Sequence, residues 1–402
     1  MDFSSSNILL QKLLTNFSDF ITSDSYSKYL DFWPILLLGI GISLVLTPLI
    51  GHFAQKYDVT YKPFSKRKDK DFDNPQKAMH EGVTPSLGGL VVSLSIFAAI
   101  LIFFKLDSFT IPILIALGIL IIGSFLDDVF NLPAKVQLFY QILAALIVSF
   151  SIINLTNISF FNIELQSLTW NFSTLHVQQS FVFPGDLILF VWILMCINAV
   201  KWTAGSPGIV ETNSLIIFAL IFVIAVRESA VFSSTLSILA VGLLLVFVIF
   251  AFPPQKIMSG SSGKTVYGFL ICILAIIADS KMSTTFMLLA LPLIDFIYVI
   301  IKRLFILKPK NPLNLLRIND TNHLHHQLLK LNISRKQVVL LEMSATLLLG
   351  SFAILTTGAI RYFALILSTS LGIGFVVFIN IKASKKKIED EGEKSPESKY
   401  SY

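Results

Sequence analysis

Charge is scarce in this 402-residue chain. Asp, Glu, Lys and Arg together make up 14% of it, against roughly 25% in an ordinary soluble domain. Hydrophobic residues make up 54%, and the mean hydropathy is +0.75. That leaves too little polar surface to cover a water-soluble core of this length. A soluble globular enzyme, a disordered chain and a nucleic-acid binder are therefore excluded. Cysteine is scarcer still. Cys196 and Cys272 are the only two, and both lie in apolar runs. A disulfide scaffold is excluded, and buried, unreactive thiols are expected. The first thirty residues lack a basic start followed by an apolar stretch and a cleavage site, so no removable signal peptide is expected there.

What is present is a series of long apolar runs. A helix needs about 20 mostly apolar residues to cross the hydrocarbon core. Eleven runs qualify as candidates: 33–53, 87–104, 110–126, 135–153, 184–200, 213–229, 233–252, 265–279, 283–301, 338–357 and 360–381. They are continuous rather than alternating, which excludes a β-barrel. The predicted fold is an all-α, multi-pass transmembrane bundle of about eleven spans. With the N-terminus outside and the C-terminus inside, the inside segments hold 25 of the 31 Lys and Arg residues. The longest outside loop, 154–183, holds none. This is the positive-inside bias, so the net charge of +6 is placed by topology and says little about an acidic partner. The chain thus divides into an extracytoplasmic segment 1–32, a membrane domain 33–381 and a polar tail 382–402, read as disordered. No internal repeat and no soluble domain is apparent.

The outside loops are chemically plain. Asn154, Asn157 and Asn171 each begin an Asn-x-Ser/Thr triplet, which chance accounts for in a loop rich in those residues. The inside segments carry the chemistry. His80 to Gly89 ends in Thr84-Pro85-Ser86-Leu87-Gly88-Gly89, a turn entering a tightly packed span or a close approach to a ligand. The third span ends in Asp127-Asp128. Two adjacent carboxylates there are costly unless a cation, a lysine or a transferable proton meets them. Lys135, one loop away, is a candidate partner. Asp320 to His326 places His323, His325 and His326 within four positions, a cluster suited to metal, phosphate or proton transfer. Lys302, Arg303, Lys308, Lys310 and Arg317 around it would attract an anion, or simply obey positive-inside topology. Gly260 to Thr265 looks like the end of a P-loop, but Met258 stands where the first glycine belongs and no strand precedes it. A nucleotidase reading is rejected; the start of the eighth span still offers backbone N–H groups to a phosphate.

Together these pieces resemble the polyprenyl-phosphate N-acetylhexosamine-1-phosphate transferases, glycosyltransferase family 4. The resemblance runs from about residue 34 to residue 340 and includes Thr84–Gly89, Phe125–Asp128, Lys135–Gln141, Asn198-Ala199, Pro292–Asp295 and Asp320–His326, in the family's order. It implies transfer of a sugar-1-phosphate from a UDP-sugar, GlcNAc-like, to undecaprenyl phosphate on the cytoplasmic leaflet of the inner membrane. UMP would be released, and a cell-envelope glycan begun. It further implies Mg²⁺ or Mn²⁺, a polyprenyl phosphate and a nucleotide sugar as partners, and a homodimer. By resemblance Asp127 acts on the attacking lipid phosphate and Asp128 holds metal or substrate. Lys135 offsets phosphate charge, and Asp320, His323, His325 and His326 contact the diphosphate or brace its loop. Asp295 supports the site, and Asn198 belongs to the substrate-binding set.

Two segments depart from the family pattern. Where Asn-Ala-x-Asn-x-x-Asp-Gly-x-Asp-Gly is usual, the chain has Asn198 to Gly208, with Lys201, Ala204 and Pro207 at the second Asn and the two Asp positions. Where Met-Gly-Asp-x-Gly-Ser is usual, it has Ser259 to Lys264, with Ser261 at the aspartate that would be a principal metal ligand. Three carboxylates are gone, two lysines are gained and the glycines remain. One reading is that Lys201 and Lys264 take over part of the metal's role, with Glu211 as a replacement carboxylate; another is an altered donor pocket. Three functions stand open at this level: an active transferase with a rebuilt donor site, a silent relative that binds polyprenyl phosphate or scaffolds envelope assembly, and a transporter. The transporter is disfavoured by the scarcity of charge at the span centres and the lack of paired halves.

Overall fold

The computed structural model describes residues 26–61, 83–153, 168–174, 177–279, 282–307, 321–358 and 360–392. After a helical turn at Tyr26–Leu30, the helices in chain order begin with α1 Trp33–Lys56, α2 Gly89–Phe103, α3 Thr110–Phe130 and α4 Ala134–Ser149. Next come α5 Gly185–Trp202, α6 Ile209–Arg227, α7 Val231–Ala251 and α8 Gly260–Asp279. The last are α9 Met282–Leu288, α10 Ala290–Leu307, α11 Leu324–Lys330, α12 Arg335–Leu355 and α13 Ile360–Gly392. Two antiparallel ribbons complete the fold: β1 Thr60–Tyr61 with β2 Thr84–Pro85, and β3 Leu168–Thr174 with β4 Val177–Phe183. The apolar runs fold as helix because backbone groups removed from water must bond within their own segment.

The chain is a multi-pass, predominantly helical membrane protein. Among the described residues eight helices are long and apolar enough to cross a bilayer, or nine if the bent pair α9–α10 counts as one. The predicted eleven is not reached by this measure. α2 and α4 have 15 and 16 residues, which reach only about 24 Å at most, against roughly 30 Å of hydrocarbon. The ninth predicted span is broken by an 84° bend between α9 and α10.

The bundle is built around α8, which is buried on nearly every face between α3, α5, α6 and α7. A helix apolar all round belongs inside. α1, α3, α12 and α13 lie at the periphery and turn large side chains outward, among them Leu44, Val45, Ile122, Phe363 and Ile366. At the far end of α8, buried Arg361 pairs with Asp279 and donates to Thr284 Oγ1 and the Thr356 carbonyl. That mutual satisfaction is what a buried ion pair requires.

Two sequence readings change. Part of the plain loop 154–183 is the β3–β4 hairpin, anchored where Phe181 stacks on Phe150 (4.8 Å) and Asp186 accepts the Val182 N–H (2.6 Å). The tail read as disordered from 382 is helical to Gly392, consistent with its good helix formers Lys, Ala and Glu. Residues 1–25 and 393–402 lie outside the described residues, as do Asn154, Asn157, His80, Lys308, Lys310, Arg317 and Asp320.

Candidate active site

The site starts at the last turn of α3. Asn131 takes a left-handed conformation (φ 51°), and its N–H closes on the Asp127 carbonyl. Pro133 follows two residues later, so the helix stops there. Asp127 and Asp128 are left at a helix C-terminus with no basic residue in the last turn. Helix polarity disfavours negative charge at that end. The compensation comes from elsewhere in the fold.

α8 begins beside them. Asp128 accepts the backbone N–H groups of Ser261 (2.6 Å) and Ser262 (3.0 Å), so its carboxylate rests on the amides that open α8. Gly260 makes this possible. Its φ is +63°, and a Cβ there would lie 2.6 Å from one Asp128 oxygen and overlap the Ser86 carbonyl. Asp127 Oδ1 accepts Leu132 N–H (2.9 Å) and Gln137 Nε2 (2.8 Å), and its Oδ2 accepts the Ser261 hydroxyl. The Thr84–Gly89 motif holds the loop in place. Met258 N–H donates to the Pro85 carbonyl, and Gly88 and Gly89 N–H groups donate to Met258 and Ser259 carbonyls. Gly89 packs so closely on Gly263 that a Cβ would overlap its backbone nitrogen.

Two lysines flank the carboxylates. Lys201, in the last turn of α5, donates to Gln137 Oε1, while the amide of Gln137 serves Asp127. Lys264 stands within electrostatic reach of Asp128, Glu211 and Lys201. It lines a pocket with Ser206, Glu211, Gln255, Met258 and Gly260. Glu211 is buried and accepts both the N–H (3.2 Å) and the hydroxyl (2.6 Å) of Ser259. Among the described residues neither lysine closes an ion pair with a carboxylate.

The histidines join through Trp202, the residue after Lys201. Its ring meets His323 edge-on at 5.6 Å and carries the Arg303 guanidinium at 4.6 Å. Asp295, on α10, accepts His323 Nδ1 (2.8 Å) and the Leu324 N–H (2.9 Å), capping α11. That contact fixes the Nδ1 proton and the ring plane. His323 lies parallel to His325 at 5.7 Å, and His325 lies 4.4 Å from His326. His325 is buried against Gly205, where a Cβ would overlap its Nε2. Burial, then His326 and His323, hold its pKa well below the ordinary 6.5.

The structure thus brings together Asp127, Asp128, Ser261, Lys201 and Lys264, and links them through Trp202 to His323 and His325. Asn198 stands nearby on α5, donating to Gln141 Oε1 (2.9 Å). Lys135 is exposed on the first turn of α4 and makes none of these contacts. The sequence reading did not single out Gln137, Trp202 or the burial of Arg303. Gln137 had a signal available, since it lies ten residues after Asp127 across a Pro-ended turn. Trp202 had none, because its role depends on the packing of α5 on α10.

Residues 109–279 match the sequence model of glycosyl transferase family 4. Over that stretch the chain is similar to the family, and it departs from the family pattern at Lys201, Ala204, Pro207 and Ser261. The match takes in both aspartates, both lysines and Ser261, and it ends before the histidines. Among the chain's relatives is a probable undecaprenyl-phosphate N-acetylglucosaminyl 1-phosphate transferase of Bacillus subtilis (strain 168). It is 25% identical over 346 residues, 84% of this chain and 86% of the relative. An undecaprenyl-phosphate alpha-N-acetylglucosaminyl 1-phosphate transferase of Escherichia coli (strain K12) is 25% identical over 299 residues, 70% and 76% of the two chains. A phospho-N-acetylmuramoyl-pentapeptide-transferase of Halalkalibacterium halodurans is also 25% identical, over 61% of this chain and 76% of the relative.

The divalent cation that the family resemblance implies does not suit this donor set. Mg²⁺ demands several oxygen ligands in near-octahedral array. Here each oxygen of Asp127 and Asp128 already accepts a hydrogen bond from the chain. The hydroxyl of Ser261 is turned to Asp127, and two ammonium groups share the space. Among the described residues no three His, Cys, Asp or Glu side chains form a metal-holding group.

Proposed function

We propose that the chain is a membrane phosphotransferase that moves a sugar-1-phosphate from a nucleotide sugar, a UDP-sugar of GlcNAc type, to a polyprenyl phosphate. The observation that carries this reading is the meeting of Asp127, Asp128, Lys201 and Lys264 at the end of a membrane-crossing helix. Two anions must be brought together at the bilayer edge, and cationic groups aimed there lower the cost. The relatives' names, undecaprenyl-phosphate transferases among them, agree with that chemistry.

An oxygen of the lipid phosphate attacks the β-phosphorus of the donor. A P–O bond forms to the lipid phosphate, and the bond from the β-phosphorus to the bridging oxygen breaks. UMP leaves with the electron pair. Asp127 faces the incoming lipid phosphate and takes its remaining proton or orients it. Asp128 fixes the start of α8, so that Lys264 projects from a set position. Arg303, held over Trp202, adds positive charge toward the diphosphate, and His323 is held beside it by Asp295. The reading places the site on the cytoplasmic face of the inner membrane, supported by the inside bias of Lys and Arg. The product would begin a cell-envelope glycan.

The test is UMP release by purified protein in detergent, with undecaprenyl phosphate and a panel of UDP-sugars. Release that needs the lipid and falls at least about 100-fold in Asp127→Asn supports the reading. Release independent of the lipid, or unaltered in Asp127→Asn, sinks it.

A further inference from the structure

Two carboxylates from other helices hold the start of α8. Ser259 immediately precedes Gly260, and its carbonyl accepts the first intrahelical N–H, that of Gly263 (3.0 Å), so Ser259 is the N-cap residue. A serine there ordinarily turns its hydroxyl oxygen to the backbone N–H two or three residues on. In this helix those are the amides of Ser261 and Ser262, and Asp128 of α3 takes both. The Ser259 hydroxyl instead donates to Glu211 Oε1 (2.6 Å), and the Ser259 N–H donates to the same oxygen (3.2 Å). With its proton committed to Glu211, Ser259 Oγ accepts from the Tyr267 hydroxyl (3.4 Å). In a capping box, a Glu or Gln at the third helical position bonds the N-cap N–H. That position is Ser262, whose hydroxyl reaches the Ser259 carbonyl (3.3 Å) and not its N–H. Glu211, in the first turn of α6, fills the role from outside the helix. Glu211, Ser259 and Tyr267 are 4%, 3% and 0% exposed, so bulk water offers these groups no other partner.

These contacts depend on one another. While Glu211 holds the Ser259 hydroxyl, the Ser261 and Ser262 amides remain for Asp128. Without that carboxylate, rotation about the Cα–Cβ bond of Ser259 would return its hydroxyl to the helix and set it in competition with Asp128. We propose that Glu211 is a positioning residue for the transfer. By drawing the Ser259 hydroxyl away from the first turn of α8, it leaves two backbone amides to fix Asp128, and it thereby keeps Ser261 beside Asp127. Ser259 stands where the family pattern has methionine, which has no hydroxyl to direct, so the contact belongs to the departures of this chain. The role during transfer rests on the phosphotransferase reading; the capping arrangement does not.

The test is a double-mutant cycle on full-length protein in detergent. Glu211→Met keeps the side-chain volume and removes the acceptor, Ser259→Ala removes the hydroxyl, and a third variant carries both. UMP release is followed with undecaprenyl phosphate and a UDP-sugar. Glu211→Met should lower kcat at least about tenfold, the loss of one hydrogen bond to a charged group. KM for lipid and donor should stay within about threefold, because Glu211 acts through Ser259 and Asp128. Adding Ser259→Ala to Glu211→Met should raise kcat again by about threefold or more, since the competing hydroxyl is gone. Glu211→Gln, which keeps an acceptor oxygen, should fall between wild type and Glu211→Met and guards against misfolding of the Met variant. A double variant slower than either single one, a loss confined to KM, or Glu211→Gln no faster than Glu211→Met overturns the proposal. Melting temperatures of the same proteins give a readout independent of activity. The two substitutions together should lower Tm by less than the sum of their separate effects, and additive losses overturn the capping arrangement. UMP release absent from wild type as well sinks the phosphotransferase reading, and the melting temperatures still decide whether Glu211 caps α8.

Discussion

At the scale of single residues, His325 makes a sharp test because it is buried and its Nε2 has no hydrogen-bond partner among the described residues. Burial and the neighbouring imidazoles of His326 and His323 hold it well below its ordinary 6.5, so it is neutral in the folded protein. The unfolded chain takes up a proton near pH 6.5 that folded His325 refuses. Protons bound are then greater in the unfolded state, and stability rises with pH across this window. Thermal stability in detergent, scanned between about pH 5 and pH 8, should therefore fall on the acid side. The fall should be shallower in His325→Asn; an identical slope would remove His325 as its source. Gly205→Ala offers a second check. The added Cβ overlaps His325 Nε2, and overpacking of this kind costs about 1–3 kcal/mol. A lower melting temperature with weakened UMP release is expected. The sequence pointed to Asp127, Asp128 and the histidines from their types and placement beside apolar runs. It could not reveal that Asp128 caps α8, since that contact joins residues 133 positions apart. Nor could it show Lys135 turned outward, because a side chain's direction at a helix start is set by packing.

At the scale of elements, the decisive contact is α2 on α8. Gly89 meets the backbone of Gly263, and the Ser93 hydroxyl donates to the Ser262 carbonyl (2.8 Å). This seats the start of α8 against α3 and so places Ser261 under Asp127. Gly89→Val should force the two helices apart, costing about 3 kcal/mol or more because backbone, not a flexible side chain, is in the way. UMP release should fall along with thermal stability. Retained activity at unchanged stability would mean the helices tolerate separation. Most helices were legible in the sequence, because continuous apolar runs have one outcome in a bilayer. The bend between α9 and α10 had a signal in Pro292, which has no N–H to give the Leu288 carbonyl four residues earlier, but the apolar run continues unbroken across it and reads as one span. The β3–β4 hairpin was also missed, although Trp170 and Phe172 alternate with Asn171 and Ser173; an alternation that short is easily lost in a polar loop.

At the scale of the whole molecule, the question is which way the bundle sits. The inside bias of Lys and Arg predicts the hairpin outside and the end of α13 inside. A cysteine at Ser173 should react with a membrane-impermeant maleimide on intact cells, and one at Lys385 only after lysis. The reverse pattern would invert the orientation and remove the site from the nucleotide-sugar side. Cys196 and Cys272 give this protein a practical advantage in such work. Both thiols are free and sealed in the core between α5 and α8. The native chain is silent toward surface reagents as it stands and serves as its own blank. Every introduced thiol is a unique handle, so distances and accessibility can be mapped without first rebuilding the interior.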